Sequence, residues 1–282
     1  MITGKAKLAG VMGWPVSHSR SPRLHGYWLE HYGIDGAYVP MAVPPDKLSQ
    51  ALRARPHLGF RGVNLTLPHK EAALGIIEHI DPAAKRIGAI NTVVVRDDHT
   101  LEGRNTDAFG FTENIKQAGF SLNANPIATV LGAGGAARAV IVTLQDMGFT
   151  EIRLVNRTPK RAEQLAHELE QAGCVITVTP PSQTAAALAD TALLVNTTSL
   201  GMVGQPPLEL DLKTLPQAAW VTDIVYVPLV TDFLARAAAH GCRTVDGLGM
   251  LLHQARPGFK AWFGVEPEVT ATLREFVMEE AS

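Results

Sequence analysis

The chain has 282 residues, 46% of them hydrophobic and 18% charged, and a formal net charge of −2. That composition buries a sizeable core over a length suited to two domains, which excludes a disordered chain. Scattered cations exclude the basic footprint of a nucleic-acid or anionic-membrane binder, and no apolar run approaches the ~20 residues of a membrane span.

Short apolar runs alternate with helical patterns, which predicts an α/β chain with parallel sheets and crossover helices. The first strand is Lys7–Gly13, followed by "VSHSRSP", Val16 to Pro22. Pro22 favours an extended Ser21 and suits the first position of the helix that Gly33 closes. Ser21 is an obvious N-cap; in an extended segment Ser19 points the same way, and two hydroxyls beside free backbone N–H groups attract a carboxylate. His18 and His25 read as surface or helix-packing histidines.

Strand Ala37–Val43 comes next, then "GVNLTLPHK". There Val63, Leu65 and Leu67 alternate inward, Asn64 and Thr66 take the other face, and Pro68 opens a helix with Lys70 in its first turn. An exposed Lys70 paired with Glu71 is the plain alternative to a functional one. "AINTVVV", residues 89–95, buries Asn91 and Thr92, whose polar groups need partners. "GRNTDAFGF" then offers Asn105, Thr106 and Asp107 before a helix, where Thr106 or Asp107 is at least a cap. The turn-rich "FSLNANP", Phe120 to Pro126, marks the clearest break, and a second domain begins near it.

Beyond the break, strand Ile127–Ala133 runs into Gly132, Ala133, Gly134, Gly135 and Ala136, a helix follows to about Met147, and strand Glu151–Arg157 returns. This order is the context of a dinucleotide fingerprint: glycines admit close backbone approach, and the helix N-terminus receives a pyrophosphate. After the second strand, an NAD site places an acid for the ribose 2′-hydroxyl. Here "NRTPKRA" carries Arg157, Lys160 and Arg161, with Asn156 and Thr158 as neutral donors and acceptors, and the first carboxylate is Glu163. The pattern suits the 2′-phosphate of NADP(H). Strands 174–179, 192–198 and 220–226 complete the prediction. On a last helix, Gly247, Met250 and Gln254 share one face by their spacing.

Cys174 and Cys242 lack metal-ligand spacing, and the Gly-broken N-terminal stretch does not read as a signal peptide. No metal is expected, and a cytoplasmic protein fits best.

The segments "HSRSP", "NLTLPHK", "AINT", "NTDAFGF", "GAGGAARA", "NRTPKRA", "NTTSLGM" and "DGLGMLLHQA" occur in this order over nearly the whole chain. Jointly they resemble the shikimate dehydrogenase family. The resemblance implies an N-terminal α/β substrate domain, 1–106 with 246–282, and a Rossmann-type NADP-binding domain, 107–245, with a cleft between them. It implies NADPH-dependent reduction of 3-dehydroshikimate to shikimate in chorismate and aromatic amino acid biosynthesis. By that resemblance Ser19, Ser21 and Tyr226 bind the substrate carboxylate, Thr66, Asn91, Asp107 and Gln254 bind ring hydroxyls, and Lys70 with Asp107 forms the catalytic pair. Gly132 to Ala136 and Asn156, Arg157, Thr158 and Arg161 hold the phosphates; Thr197, Thr198, Ile224, Gly247 and Met250 flank the nicotinamide.

The chain departs from the family pattern at Arg104, Ala108 and Gly26, and at Asp232 and Phe233 after Tyr226. A catabolic quinate/shikimate dehydrogenase using NAD is the nearest alternative, against which the basic "NRTPKR" argues. A silent NADP-binding regulatory module is the other; such a module typically loses Lys70 or Asp107, and both are present. A monomer and a homodimer are equally compatible with the sequence.

Overall fold

The structure, a computed structural model, describes residues 2–122 and 126–279. The chain forms two compact units, Met1–Gly110 with Leu251–Ser282, and Phe111–Met250. The predicted break at 120–126 lies partly outside the described residues, and the chain leaves the first unit earlier, between Gly110 and Phe111.

In the first unit, β1 (Lys7–Gly13) leads to α1 (Ser21–His31), β2 (Gly36–Ala42), α2 (Leu48–Ala54), β3 (Gly62–Leu65) and α3 (His69–Ala72). Then come β4 (His79–Ile80), α4 (Pro82–Ile87), β5 (Thr92–Val95), β6 (Leu101–Arg104) and α5 (Asp107–Gln117), which carries the chain out. The sheet order is β2-β1-β3-β5-β6-β4. β1 lies between two parallel neighbours and is buried over its last five residues, so it reads as a continuous apolar run rather than an alternating one.

This sheet is mixed, not parallel throughout. β5 pairs antiparallel with both β3 and β6. β4 and β6 were not foreseen, because "HI" and "LEGR" carry neither the length nor the β-branched content of a strand signal. Met12, Leu52, Val63, Leu65, Ile90 and Val93 form a core cluster in this unit.

Three local expectations fail here. "VSHSRSP" is a turn, with Ser19 N–H bonded to Val16 O at 3.0 Å, so it is not extended. Ser21 is the first residue of α1 and not its cap; Arg20 stands at the cap position, and no side chain caps the helix. Leu67 does not point inward but is 65% exposed, since β3 ends at Leu65 and the chain turns at once into α3.

The second unit contains β7 (Ile127–Leu131), α6 (Gly135–Asp146), β8 (Glu151–Val155), α7 (Pro159–Glu168), β9 (Val175–Thr179) and α8 (Thr184–Leu188). β10 (Leu193–Asn196), β11 (Trp220–Asp223), α9 (Asp232–His240), β12 (Arg243–Val245) and α10 (Leu248–Phe263) follow, the last carrying the chain back. The sheet is parallel, in the order β12-β11-β10-β7-β8-β9, with the strand order reversing between β7 and β10. That is a doubly wound sheet, and its ligand crevice opens at the carboxyl ends beside the reversal. Leu131, Leu194, Val221, Phe233 and Leu234 make its core.

Gly247 precedes α10 and is not part of it, and α10 is not the last helix: α11 (Ala271–Met278) follows in the first unit. The aromatic face of that unit gathers His25, Trp28, Tyr38, Phe259 and Trp262, with His25 stacked on Tyr38 at 3.9 Å and 4° between planes. His25 is thus a packing histidine.

Candidate active site

In the first unit, α3 begins directly after the β3 end and presents Lys70, while Asp107 opens α5. Lys70 Nζ lies 2.6 Å from Asp107 Oδ2, with side chains only 16% and 6% exposed. A charge-assisted bond this short, largely shielded from water, is among the stronger polar contacts a protein makes. Backbone bonds set the spacing: Ile90 N–H donates to Lys70 O at 2.8 Å, and Leu65 N–H to Asn91 O at 2.8 Å. Asn105 fixes the start of α5, its Oδ1 accepting from Asp107 N–H at 3.0 Å while its Nδ2 donates to Ala89 O at 2.8 Å.

Asn91 is the hub. Its Nδ2 donates to Asp107 Oδ1 at 2.9 Å, Thr106 Oγ1 at 3.0 Å and Gln254 Oε1 at 3.2 Å. Its Oδ1 accepts from Thr106 N–H at 2.8 Å and from Thr92 Oγ1 at 3.0 Å. Four predicted residues, Lys70, Asn91, Asp107 and Gln254, therefore meet in one cluster from four chain segments. Thr66 sits half-buried at the end of β3, and among the described residues no side-chain hydrogen bond joins it to that cluster. Ser19 Oγ accepts from Ser21 N–H at 3.3 Å. Tyr226 belongs to the second unit, half-buried in the loop after β11.

Two partners of the cluster were missed as site residues. Asn64 donates through Nδ2 to Asn91 O at 3.0 Å and Thr92 Oγ1 at 3.1 Å, and Tyr38 donates through its hydroxyl to Asn64 Oδ1 at 2.6 Å. Burial pushes the Tyr38 phenol well above its ordinary range, partly offset by a bond from Ser21. Asn64 had a signal, an amide inside an apolar strand; Tyr38 had none, since tyrosine is ordinary in a strand.

In the second unit, Gly132 has φ +103°, and a Cβ there would lie 2.8 Å from Thr197 Oγ1 and 2.9 Å from Thr198 Cγ2. Glycine is required for that close approach. Gly134 is different: its φ of −105° suits any residue, and a Cβ would meet no protein atom within 4 Å. The missing side chain leaves open space directly before α6, whose first turn no side chain caps. Free N–H groups facing a glycine-made space fit a pyrophosphate.

Past β8, Arg157 and Thr158 are exposed, and Asn156 Nδ2 donates to Thr158 O at 2.9 Å. Thr158 occupies the cap position of α7 without a capping bond. Residues 156–162 bring two arginines and a lysine and no carboxylate, which suits a ribose carrying a phosphate. At the far half of the sheet, Thr197 Oγ1 donates to Leu131 O at 2.7 Å and Thr198 Oγ1 to Asn196 Oδ1 at 2.7 Å. Gly247 packs so tightly that a Cβ would lie 2.5 Å from Ile224 C and O. Asp223, unforeseen, ties these loops together by accepting from Asn196 Nδ2 at 2.9 Å, Val225 N–H at 3.0 Å and Thr231 Oγ1 at 2.8 Å. Burial pushes its carboxyl up, and those three bonds oppose the shift.

A surface hollow of about 510 Å³ is lined by His167, Glu170, Cys174 and Val175 and includes none of these residues. Among the described residues no group of His, Cys, Asp and Glu could hold a metal ion.

Comparison with known proteins covers nearly the whole chain. Residues 11–93 match the model of the shikimate dehydrogenase substrate binding domain, 115–202 that of shikimate/quinate 5-dehydrogenase, and 247–275 that of the shikimate 5′-dehydrogenase C-terminal domain. A shikimate dehydrogenase (NADP+) of Paramagnetospirillum magneticum is 60% identical over 279 residues, 98% of this chain and 100% of that protein. Shikimate 5-dehydrogenase from Thermus thermophilus, solved with NADP(H) and shikimate, is 39% identical with a TM-score of 0.85, covering 96% of this chain and 98% of that one. Quinate dehydrogenase from Corynebacterium glutamicum, solved with NAD, is 30% identical with a TM-score of 0.88, again covering 96% and 98%. The chain belongs to the shikimate dehydrogenase family.

Proposed function

We infer that this protein is an NADP-dependent shikimate dehydrogenase, reducing the 3-ketone of 3-dehydroshikimate to shikimate in a reversible step of chorismate and aromatic amino acid biosynthesis. The observation that carries the reading is the 2.6 Å Lys70–Asp107 pair, held by Asn91 within one cluster that also takes in Gln254. The first unit holds the substrate and the second the cofactor.

NADPH, when bound, supplies the hydride. The chain supplies position and a proton. Lys70 Nζ donates its proton to the substrate 3-oxygen as negative charge develops there, and in the reverse direction takes it back. Asp107 keeps the ammonium aimed at that oxygen. Ser19, Ser21 and Tyr226 take the carboxylate, and Thr66, Asn91, Asp107 and Gln254 take the ring hydroxyls. Gly132, Ala133, Gly134, Gly135 and Ala136 receive the pyrophosphate, Asn156, Arg157, Thr158 and Arg161 the 2′-phosphate, and Thr197, Thr198, Ile224, Gly247 and Met250 the nicotinamide end. The free, buried Cys174 and Cys242 suit a reducing compartment, the cytoplasm.

The test is the loss of NADPH absorbance on adding 3-dehydroshikimate, compared between the wild-type chain and Lys70→Ala. Wild-type turnover is expected, with kcat falling by roughly 10²- to 10⁴-fold in the variant while shikimate affinity barely changes. Near-normal turnover by Lys70→Ala would refute the role of the pair.

A further inference from the structure

The buried polar groups of the first unit are not a loose cluster. They form a single chain of hydrogen bonds with one direction. Tyr38 donates to Asn64 Oδ1 at 2.6 Å, and Asn64 Nδ2 to Thr92 Oγ1 at 3.1 Å. Thr92 donates to Asn91 Oδ1 at 3.0 Å, and Asn91 Nδ2 to Asp107 Oδ1 at 2.9 Å. All five residues are buried, none more than 7% exposed. Aligned donors in such an environment polarise one another, and the chain ends on the carboxylate that holds Lys70.

We propose that Tyr38 is a positioning residue: its hydroxyl fixes Asn64, and through Thr92 and Asn91 the Asp107 carboxylate. The proposal rests on the reading of Asp107 as half of the catalytic pair.

Removing the phenol oxygen leaves Asn64 Oδ1, buried in β3, without its donor. The amide then no longer holds Thr92 and Asn91 in one orientation, and the catalytic carboxylate loses its fixed support. A defect that was merely structural would weaken binding and turnover together.

Tyr38→Phe isolates the hydroxyl, because the ring that stacks on His25 at 3.9 Å remains. In this variant kcat for shikimate oxidation is expected to fall roughly tenfold, while shikimate affinity by calorimetry stays within about twofold of the wild type. NADP affinity stays as in the wild type. Thr92→Val breaks the chain beyond Tyr38 and is expected to lower kcat in the same way, with Thr92→Ser restoring kcat. A kcat within twofold of wild type in Tyr38→Phe, or weaker shikimate binding there, overturns the proposal. Should Tyr38→Phe not fold, an unchanged kcat in Thr92→Val overturns it alone. Wild-type turnover and shikimate binding, measured in parallel, report on the underlying reading separately: their absence would sink that reading rather than this one.

Discussion

Arg157 stands exposed past the end of β8, next to Thr158, whose hydroxyl makes no cap to α7. A structural part for either residue is therefore small, and what distinguishes the position is the combination of cations with no acid. A hydrogen bond to a charged group is worth about 1.5 to 3 kcal/mol. Arg157→Ala should thus weaken NADP(H) by about tenfold to a hundredfold and leave NAD(H) nearly unaffected, with steady-state KM for both cofactors as the measurement. Equal losses for both would remove the argument for a 2′-phosphate site. Lys70 presents the opposite case. It is half-buried and bonded to Asp107, and its role follows from its partner and not from its type; among surface lysines it would be ordinary.

At the scale of elements, the loop between β7 and α6 separates two reasons for a glycine. Gly132 has φ +103° and lies against Thr197, so any side chain strains the backbone and collides. Gly134 has neither constraint, since its would-be Cβ faces open space. Gly134→Ala should therefore leave stability unchanged or raise it by about 0.4 to 1 kcal/mol through the unfolded chain. NADP affinity should nonetheless fall at least tenfold, because the added methyl fills the space that backbone N–H groups open to the pyrophosphate. Thermal unfolding and cofactor titration on the same sample check both halves; a stable variant with normal NADP affinity would place the phosphates elsewhere. Gly132→Ala serves as the contrast, destabilising as well as weakening. The loops at the ends of β10 and β11 follow the same logic in another way. Asp223 accepts three donors from both loops, and Thr231 also caps α9 by accepting from Leu234 N–H at 3.3 Å.

At the scale of the whole molecule, His25 couples stability to pH. It is completely buried, neither ring nitrogen has a hydrogen-bond partner, and burial holds its pKa down at about 3 against an ordinary 6.5. The unfolded chain takes up a proton below pH 6.5 that the folded chain refuses until about pH 3, so stability falls as pH drops through that window. The slope is about 1.4 kcal/mol per pH unit, or about 2 kcal/mol between pH 6.5 and 5. Urea unfolding of wild type and His25→Phe at pH 7 and pH 5, followed by Trp fluorescence, should show the variant losing less by about that amount. Identical losses would mean that His25 finds a proton acceptor in the folded state.

Much of this molecule was legible before its structure. The strand–glycine–helix order around Gly132, the cation-rich "NRTPKR" and the polar residues inside "AINT" depend on spacings of a few residues, which sequence carries directly. Eight short segments in one order also identified the family. What sequence could not carry is pairing between distant residues. Residue pattern alone favoured a functional Lys70 over an exposed one paired with Glu71, and only the family resemblance joined it to Asp107, 37 positions away; the pattern also placed Leu67 inward and took "VSHSRSP" as extended. It also read the first sheet as parallel, whereas β5 runs against both of its neighbours. Strand direction and register are set by which distant surfaces bury one another, and a turn such as Val16–Ser19 by backbone bonds that no side-chain pattern announces. The tertiary structure alone decided that Tyr38, a common strand residue, donates its hydroxyl proton to Asn64, because only packing brings two groups so far apart in the chain within hydrogen-bond reach.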